Sequence, residues 1–274
     1  MTEQPIRVSR GWLALREPAD AQARAHDLAQ RLARRPPVAG PWLIHDLGGG
    51  TGSMGRWLAP LLPGSQHWVV HDRDADLLKV AAADPPGPAA DGAPVTVETR
   101  LSDIIRLDHS GLAGATLITA SALLDMLTSD ELAELVGVCT DPGCPVLLTL
   151  SVVGRVELTP ADPLDSRIMA AFNARQRRET DRGPLLGPDA VAFAVEAFGL
   201  RGAEVLARDS TWRLGARHPE LTAQWLSGWV SAACEQQPGL TTEAGDYSRR
   251  RMAQLAGGRL AVALHHTDLL VLPR

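Results

Sequence analysis

The stretch Trp42-Leu-Ile-His-Asp46-Leu-Gly48-Gly49-Gly50-Thr51-Gly52-Ser53-Met54-Gly55-Arg56-Trp57-Leu58 decides how the rest of the chain is read. Residues 42–46 are an apolar run that predicts a strand, and residues 53–62 are an amphipathic run that predicts a helix. The glycines between them let the main chain turn where a side chain would clash and come close to a ligand. The first N–H groups of the helix have no partner within it and point toward the same place. A strand, a glycine turn and a helix in this order form a cradle for a nucleotide-like ligand.

Working outward, further short apolar runs at 67–72, 94–99, 115–120 and 145–151 alternate with helical patterns at 74–83 and 129–139. That alternation predicts a mostly parallel sheet covered by helices on both faces. Beyond the fifth strand the spacing changes. Helices are expected at 163–179 and 188–198, a sixth strand at 203–207, helices at 219–236 and 242–256, and a final strand, returning antiparallel, at 260–272. Upstream, Ala19, Ala23, His26, Leu28 and Leu32 recur at helical spacing over 18–35, and Arg35-Pro36-Pro37 ends the run. The expected organisation is an N-terminal helical segment at 1–38 and one α/β domain at 39–274, with a helical cap insertion at about 213–257. The Pro- and Gly-rich segment 84–94 is a surface loop, because a strand follows it directly.

Composition narrows the function classes. The 274 residues carry 27 basic and 32 acidic side chains, a net charge of −5, and Lys79 is the only lysine. Such a chain has no global field to draw it onto nucleic acid or an anionic membrane, and a small-molecule acceptor is expected. Cys139, Cys144 and Cys234 are too few and too irregularly spaced for a disulfide framework or zinc site. The sequence shows no apolar signal core and no run approaching the roughly 20 apolar residues that span a bilayer. These features predict a cytoplasmic protein without a metal site.

The glycine segment satisfies two motifs at once. Gly50-x-Gly52-x-x-Gly55, with Asp72 further on, fits the dinucleotide fingerprint. Asp46-x-Gly48-x-Gly50-x-Gly52 fits a second register, in which a carboxylate stands at the strand end just before the first glycine. There it would repel a pyrophosphate and attract an ammonium group. Tyr247 is the only tyrosine and has no lysine four residues on, so the tyrosine–lysine pair of short-chain dehydrogenases is missing. In the second register, over roughly residues 40–152, the chain resembles the class I S-adenosylmethionine-dependent methyltransferases.

The resemblance implies a Rossmann-like three-layer sandwich on a mostly parallel seven-stranded sheet with an antiparallel last strand. It implies S-adenosyl-L-methionine as cofactor and S-adenosyl-L-homocysteine as product. Asp46, Gly48, Gly49, Gly50 and Gly52 would surround the methionine part. Asp72 would accept the ribose hydroxyls, with Arg73 beside it, and Ser102, Asp103 and Ile104 would border the adenine. Asp103 has an alternative role as a helix cap. Ala120 and Ser121 would line the sulfonium. The implied reaction moves a methyl group to an oxygen or nitrogen of a small molecule, as in specialised metabolism. Use of the same cofactor without methylation, a nicotinamide-dependent oxidoreductase and an RNA methyltransferase are the alternatives.

Two residues are candidates for a general base: Asp125, one helical turn past Ser121, and His71, beside Asp72. Phe172, Gln176, Trp212 and Arg213 are candidates for the acceptor pocket, Trp212 by stacking and Arg213 by pairing with a carboxylate. Trp225 and Trp229, four apart on one helix, read as core. His265-His266 is expected to be carried away from the catalytic edge by the returning strand. The first helix and the Trp-bearing insertion are candidates for a homodimer contact.

Overall fold

The computed structural model describes residues 8–37, 40–107 and 109–273. The boundary expected at 38–39 falls outside them. Two helices lead, α1 (Arg10–Ala23) and α2 (His26–Ala33). Then follow β1 (Trp42–Leu47), α3 (Ser53–Leu58), β2 (Gln66–Asp72), α4 (Ala75–Ala83), β3 (Val95–Leu101), β4 (Leu117–Ser121), α5 (Ser129–Thr140) and β5 (Val146–Thr159). The remainder comprises α6 (Asp165–Gln176), a short hairpin of β6 (Glu179–Thr180) and β7 (Gly183–Pro184), α7 (Ala190–Leu200), β8 (Glu204–Asp209), β9 (Trp212–Gly215), α8 (Pro219–Gln236), α9 (Thr241–Ala256) and β10 (Ala261–Leu272).

The sheet runs β3-β2-β1-β4-β5-β10-β8, with β9 pairing the start of β10. The first five of these strands are mutually parallel, and β10 is antiparallel to both β5 and β8. This is the expected Rossmann-like sandwich, with β9 as an eighth strand. Strand β9 runs only four residues and is recognisable only through its pairing with β10. Strand β5 continues to Thr159, well past the expected end at 151, because β10 pairs with it along that whole length.

Alternation along β1 distributes its side chains to two cores. Trp42 and Ile44 join Leu28, Leu32, Met54 and Trp68 beneath α2 and α3, whereas Leu47 joins Ile118, Leu135, Val136 and Phe198 beneath α5 and α7. A third core lies over the long ends of β5 and β10, where α6, α8 and α9 enclose Ile168, Trp212, Trp229 and Tyr247.

The leading helical run departs from expectation in two ways. It starts at Arg10, with Ser9 capping Trp12 N–H, so Pro18 lies inside α1 rather than at its first turn. It also breaks at Arg24, giving two helices in place of one. The missing N–H of Pro18 weakens α1, and contacts made at a distance compensate for it: Arg16 lies over the ring of Trp212, and Trp12 packs against the same ring. Trp225 and Trp229 stack with ring centroids 5.2 Å apart in the interior, so they are unavailable to a dimer contact.

Candidate functional site

The glycine turn is built around the end of β1. Gly48, Gly50 and Gly52 have φ of 63, 55 and 81°, so every second residue of the loop is left-handed, a conformation that glycine alone adopts without strain. Gly49 is required for a different reason: a Cβ there would lie 2.4 Å from Asp46 Oδ2 and 2.7 Å from the Val70 side chain. The Asp46 carboxylate is therefore directly beneath the loop. Its Oδ1 accepts from Thr119 Oγ1 at 2.8 Å, and its Oδ2 has no hydrogen-bond partner among the described residues. Burial raises its pKa to about 7, although Thr119 and Arg24 oppose the shift.

Asp72, at the end of β2, fixes the loop from the other side. Gly50 N–H donates to its Oδ2 at 2.9 Å and Asp74 N–H to its Oδ1 at 2.8 Å. Each oxygen keeps a lone pair for another donor. Arg73, the next residue, is exposed. Helix α1 lies across this cradle. A Cβ on Gly50 would be 3.5 Å from Leu13 Cδ1 and 3.9 Å from Asp72 Oδ2. Arg56 of α3 grips Glu17 of α1 with two hydrogen bonds of 2.7 Å.

The end of β4 forms the next wall. Ala120 is buried, and Ser121 Oγ accepts from Arg24 Nη2 and Thr149 Oγ1, each at 3.1 Å. In the turn that follows, Asp125 Oδ2 accepts from Gln176 Nε2 of α6 at 3.3 Å. Burial raises the Asp125 pKa to about 6, against the opposing charges of Arg16 and Arg178. Two positions 51 residues apart in the chain, one proposed as a base and the other as an acceptor contact, thus meet.

No family model matches the sequence, and no curated protein matches it. Among solved structures, the cyclopropane synthase MmaA2 from Mycobacterium tuberculosis aligns with a TM-score of 0.51 at 13% identity, over 96% of this chain and 94% of its own. A SAM-dependent methyltransferase from Thiobacillus denitrificans, in complex with S-adenosyl-L-homocysteine, aligns at 0.47 and 12% identity over 98% and 100%. The first of these shows the fold: the chain shares the Rossmann-like architecture of that synthase.

Within this fold, several expected residues have other duties. His71 is buried on the sheet face opposite Asp46, with Nε2 2.9 Å from His45 Nδ1 and Nδ1 3.0 Å from Ser102 Oγ. Burial lowers the pKa of both histidines to about 4, which makes His71 a weak base. Ser102 is therefore tied to His71. Asp103 caps the 3-10 turn Ile104–Arg106 through Ile105 N–H.

Trp212 is not a stacking surface. It is buried, and its ring N–H donates to Asp20 Oδ1 at 2.9 Å. Arg213 is exposed and lines a separate polar cavity of about 410 Å³ with Asp209, Thr211, His218 and His265. Phe172 is half-buried against the third core. The histidine pair is not carried away from the sheet's carboxyl edge: His266 pairs with Val152, midway along β5 and three residues past the partner of Ser121 at the end of β4, and Thr267 pairs with Asp209 at the end of β8, because β9 and the extended β5 lengthen the sheet at that edge. His266 is nevertheless buried, and burial lowers its pKa to about 3.

Sequence reasoning missed Leu13, Arg16, Glu17 and Arg24. Each belongs to the leading helical run, and local periodicity does not indicate what a helix in that run covers.

Proposed function

We propose that this protein is an S-adenosyl-L-methionine-dependent methyltransferase acting on an oxygen or nitrogen of a small molecule. The observation that carries this reading is the alternating left-handed glycine loop closed over a buried carboxylate with one unpartnered oxygen, Asp46 Oδ2. An anionic dinucleotide would meet that charge unfavourably, whereas a ligand with a cationic end relieves it. When bound, the cofactor supplies a sulfonium-activated methyl group and leaves as S-adenosyl-L-homocysteine. Asp46, Gly48, Gly49, Gly50 and Gly52 hold its amino-acid end. Asp72 accepts the ribose hydroxyls while keeping the loop in place, with Arg73, Ser102, Asp103 and Ile104 toward the base and Ala120 and Ser121 toward the sulfur.

Asp125 takes the proton from the acceptor's hydroxyl or ammonium-derived nitrogen, and Gln176 orients its carboxylate. A carboxylate whose pKa is near 6 is mostly ionised at neutral pH and more basic than an ordinary one. The remaining work is positioning and exclusion of water, which α1 and the helical cap at about 213–257 perform by covering the carboxyl edge of the sheet. A small acceptor is also supported by the ion pairs of five surface arginines. Arg31 pairs with Glu204, Arg175 with Glu235, Arg177 with Asp189, Arg249 with Asp246 and Arg250 with Asp162, so these positions do not offer nucleic acid a free basic stripe.

Isothermal titration of the purified protein with S-adenosyl-L-homocysteine and, separately, NADH tests the cofactor. Micromolar binding of the former, lost in Asp72→Ala, is the expected result, and binding of NADH alone overturns it. Product mass from a metabolite screen tests the reaction: a gain of one methylene unit is expected, and turnover without that gain overturns methylation.

A further inference from the structure

Arg24 stands at the break between α1 and α2 and is 2% exposed. Its Nη2 donates to Ser121 Oγ, while Nε and Nη1 have no hydrogen-bond partner among the described residues. The guanidinium lies over the ring of Trp57, 5.3 Å from the centroid, and the Trp57 ring N–H is itself buried and without an acceptor. A buried guanidinium with neither a carboxylate nor a full set of acceptors is costly.

Nearby carboxylates do not supply the missing partner. Asp20 is engaged by Arg16 Nε at 2.8 Å and the Trp212 ring N–H at 2.9 Å. Asp268 accepts Ala25 N–H at 2.8 Å and Leu150 N–H at 2.7 Å. Asp46 is within electrostatic reach but forms no ion pair with Arg24, and its own Oδ2 is left over. Around the end of β1 and β4 there is thus a surplus of buried donors on one side and a surplus acceptor on the other.

We propose that Arg24 pairs with the α-carboxylate of the cofactor's amino-acid end, so that this zwitterion is held between the guanidinium and the Asp46 carboxylate. This inference rests on the cofactor reading above and adds to it a residue outside the glycine motif. The leading helical pair thereby becomes part of the binding site. Because Arg24 and Glu17 belong to one helical run, engagement of the carboxylate and closure of α1 over the loop reinforce each other.

The test is a titration cycle with two nucleosides: S-adenosyl-L-homocysteine and its decarboxylated analogue, which keeps the ammonium and lacks the carboxylate. Wild-type protein, Arg24→Met and Arg24→Lys are each titrated with both, and thermal unfolding of the unliganded forms checks folding. For wild type the first ligand is expected to bind about 100-fold more tightly than the second. Arg24→Met is expected to bind the first about 100-fold more weakly and the second within about threefold of wild type. Arg24→Lys is expected to recover part of the preference for the carboxylate. Equal losses for both ligands in Arg24→Met, or a wild type indifferent to the carboxylate, overturns the pairing while leaving the cofactor reading intact. Failure of wild type to bind either nucleoside overturns both.

Discussion

Arg24 and Arg251 are both almost completely buried and both lie about one ring's distance from an aromatic face, Trp57 and Tyr247 respectively. Their surroundings differ. Arg251, in α9, meets Asp165 through Nη2 and donates through Nη1 to Pro160 O at 2.6 Å and Gln254 Oε1 at 2.9 Å, while Tyr247 donates to the same Asp165 at 2.7 Å. Burial alone would lower its pKa, but the hydrogen bonds with Asp165 and Tyr247 outweigh that and raise it. For Arg24 burial prevails and the pKa is lowered. Arg251 thus has a carboxylate and two further acceptors, with only its Nε unpartnered among the described residues, whereas Arg24 has a single hydroxyl acceptor and no carboxylate. Buried charge paired with a carboxylate holds a fold together, and buried charge without one marks a place for a ligand.

The comparison breaks most easily on stability. Arg251→Ala leaves Asp165 and Tyr247 enclosed without their partner and is expected to cost about 3–5 kcal/mol in urea unfolding. Arg24→Met removes an unpaired charge and is expected to leave the unliganded protein as stable as before, or more so. A large loss from Arg24→Met would show that both sites are scaffold.

The next effect is on turnover. Asp125→Asn is expected to lower kcat about 100-fold with S-adenosyl-L-homocysteine affinity unchanged within about threefold. In the wild type, kcat/KM should fall below about pH 6, as Asp125 becomes protonated, and the variant should lose that limb. A variant that retains kcat would remove Asp125 from the reaction.

Asp46 sharpens the contrast through pH. Its pKa is about 7 in the folded state against 3.8 ordinarily, so folding takes up a proton between those values. Its contribution to unliganded stability is therefore greatest below about pH 4 and is lost as pH rises through about 7. Asp46→Asn is expected to stabilise the unliganded protein at pH 8 by about 2 kcal/mol and to flatten the stability profile across that window. The same substitution should weaken S-adenosyl-L-homocysteine binding at pH 8, while wild-type affinity should decline below about pH 7. Unchanged stability at pH 8 would mean that the Asp46 charge is already compensated without ligand.

The smallest effect concerns the latch between α1 and α3. The Arg56–Glu17 pair is 17% and 26% exposed, and Glu17→Ala is expected to cost about 0.5–1 kcal/mol and to speed cofactor exchange in stopped-flow fluorescence. An unchanged exchange rate would separate the latch from the binding cycle.

Much of this molecule was legible from local pattern. The strands from β1 to β4, the left-handed glycines after Asp46 and the acidic end of β2 follow from period, turn chemistry and charge, each of which acts over a few residues. Gly49 was part of the motif, but its reason, the Asp46 carboxylate and Val70 packed against it, was not readable. Trp212 illustrates the opposite limit: its position after the sixth strand suggested a stacking surface, and α1, about 190 residues earlier, covers it. The meeting of Asp125 with Gln176, the pairing of β9 with β10 and the burial of Arg24 likewise depend on segments far apart in the chain. The sequence by itself determined the cradle, because backbone conformation is a local property. Only the tertiary structure decided which side chains complete it, because burial and partnership are set by whatever else the fold brings to the same place.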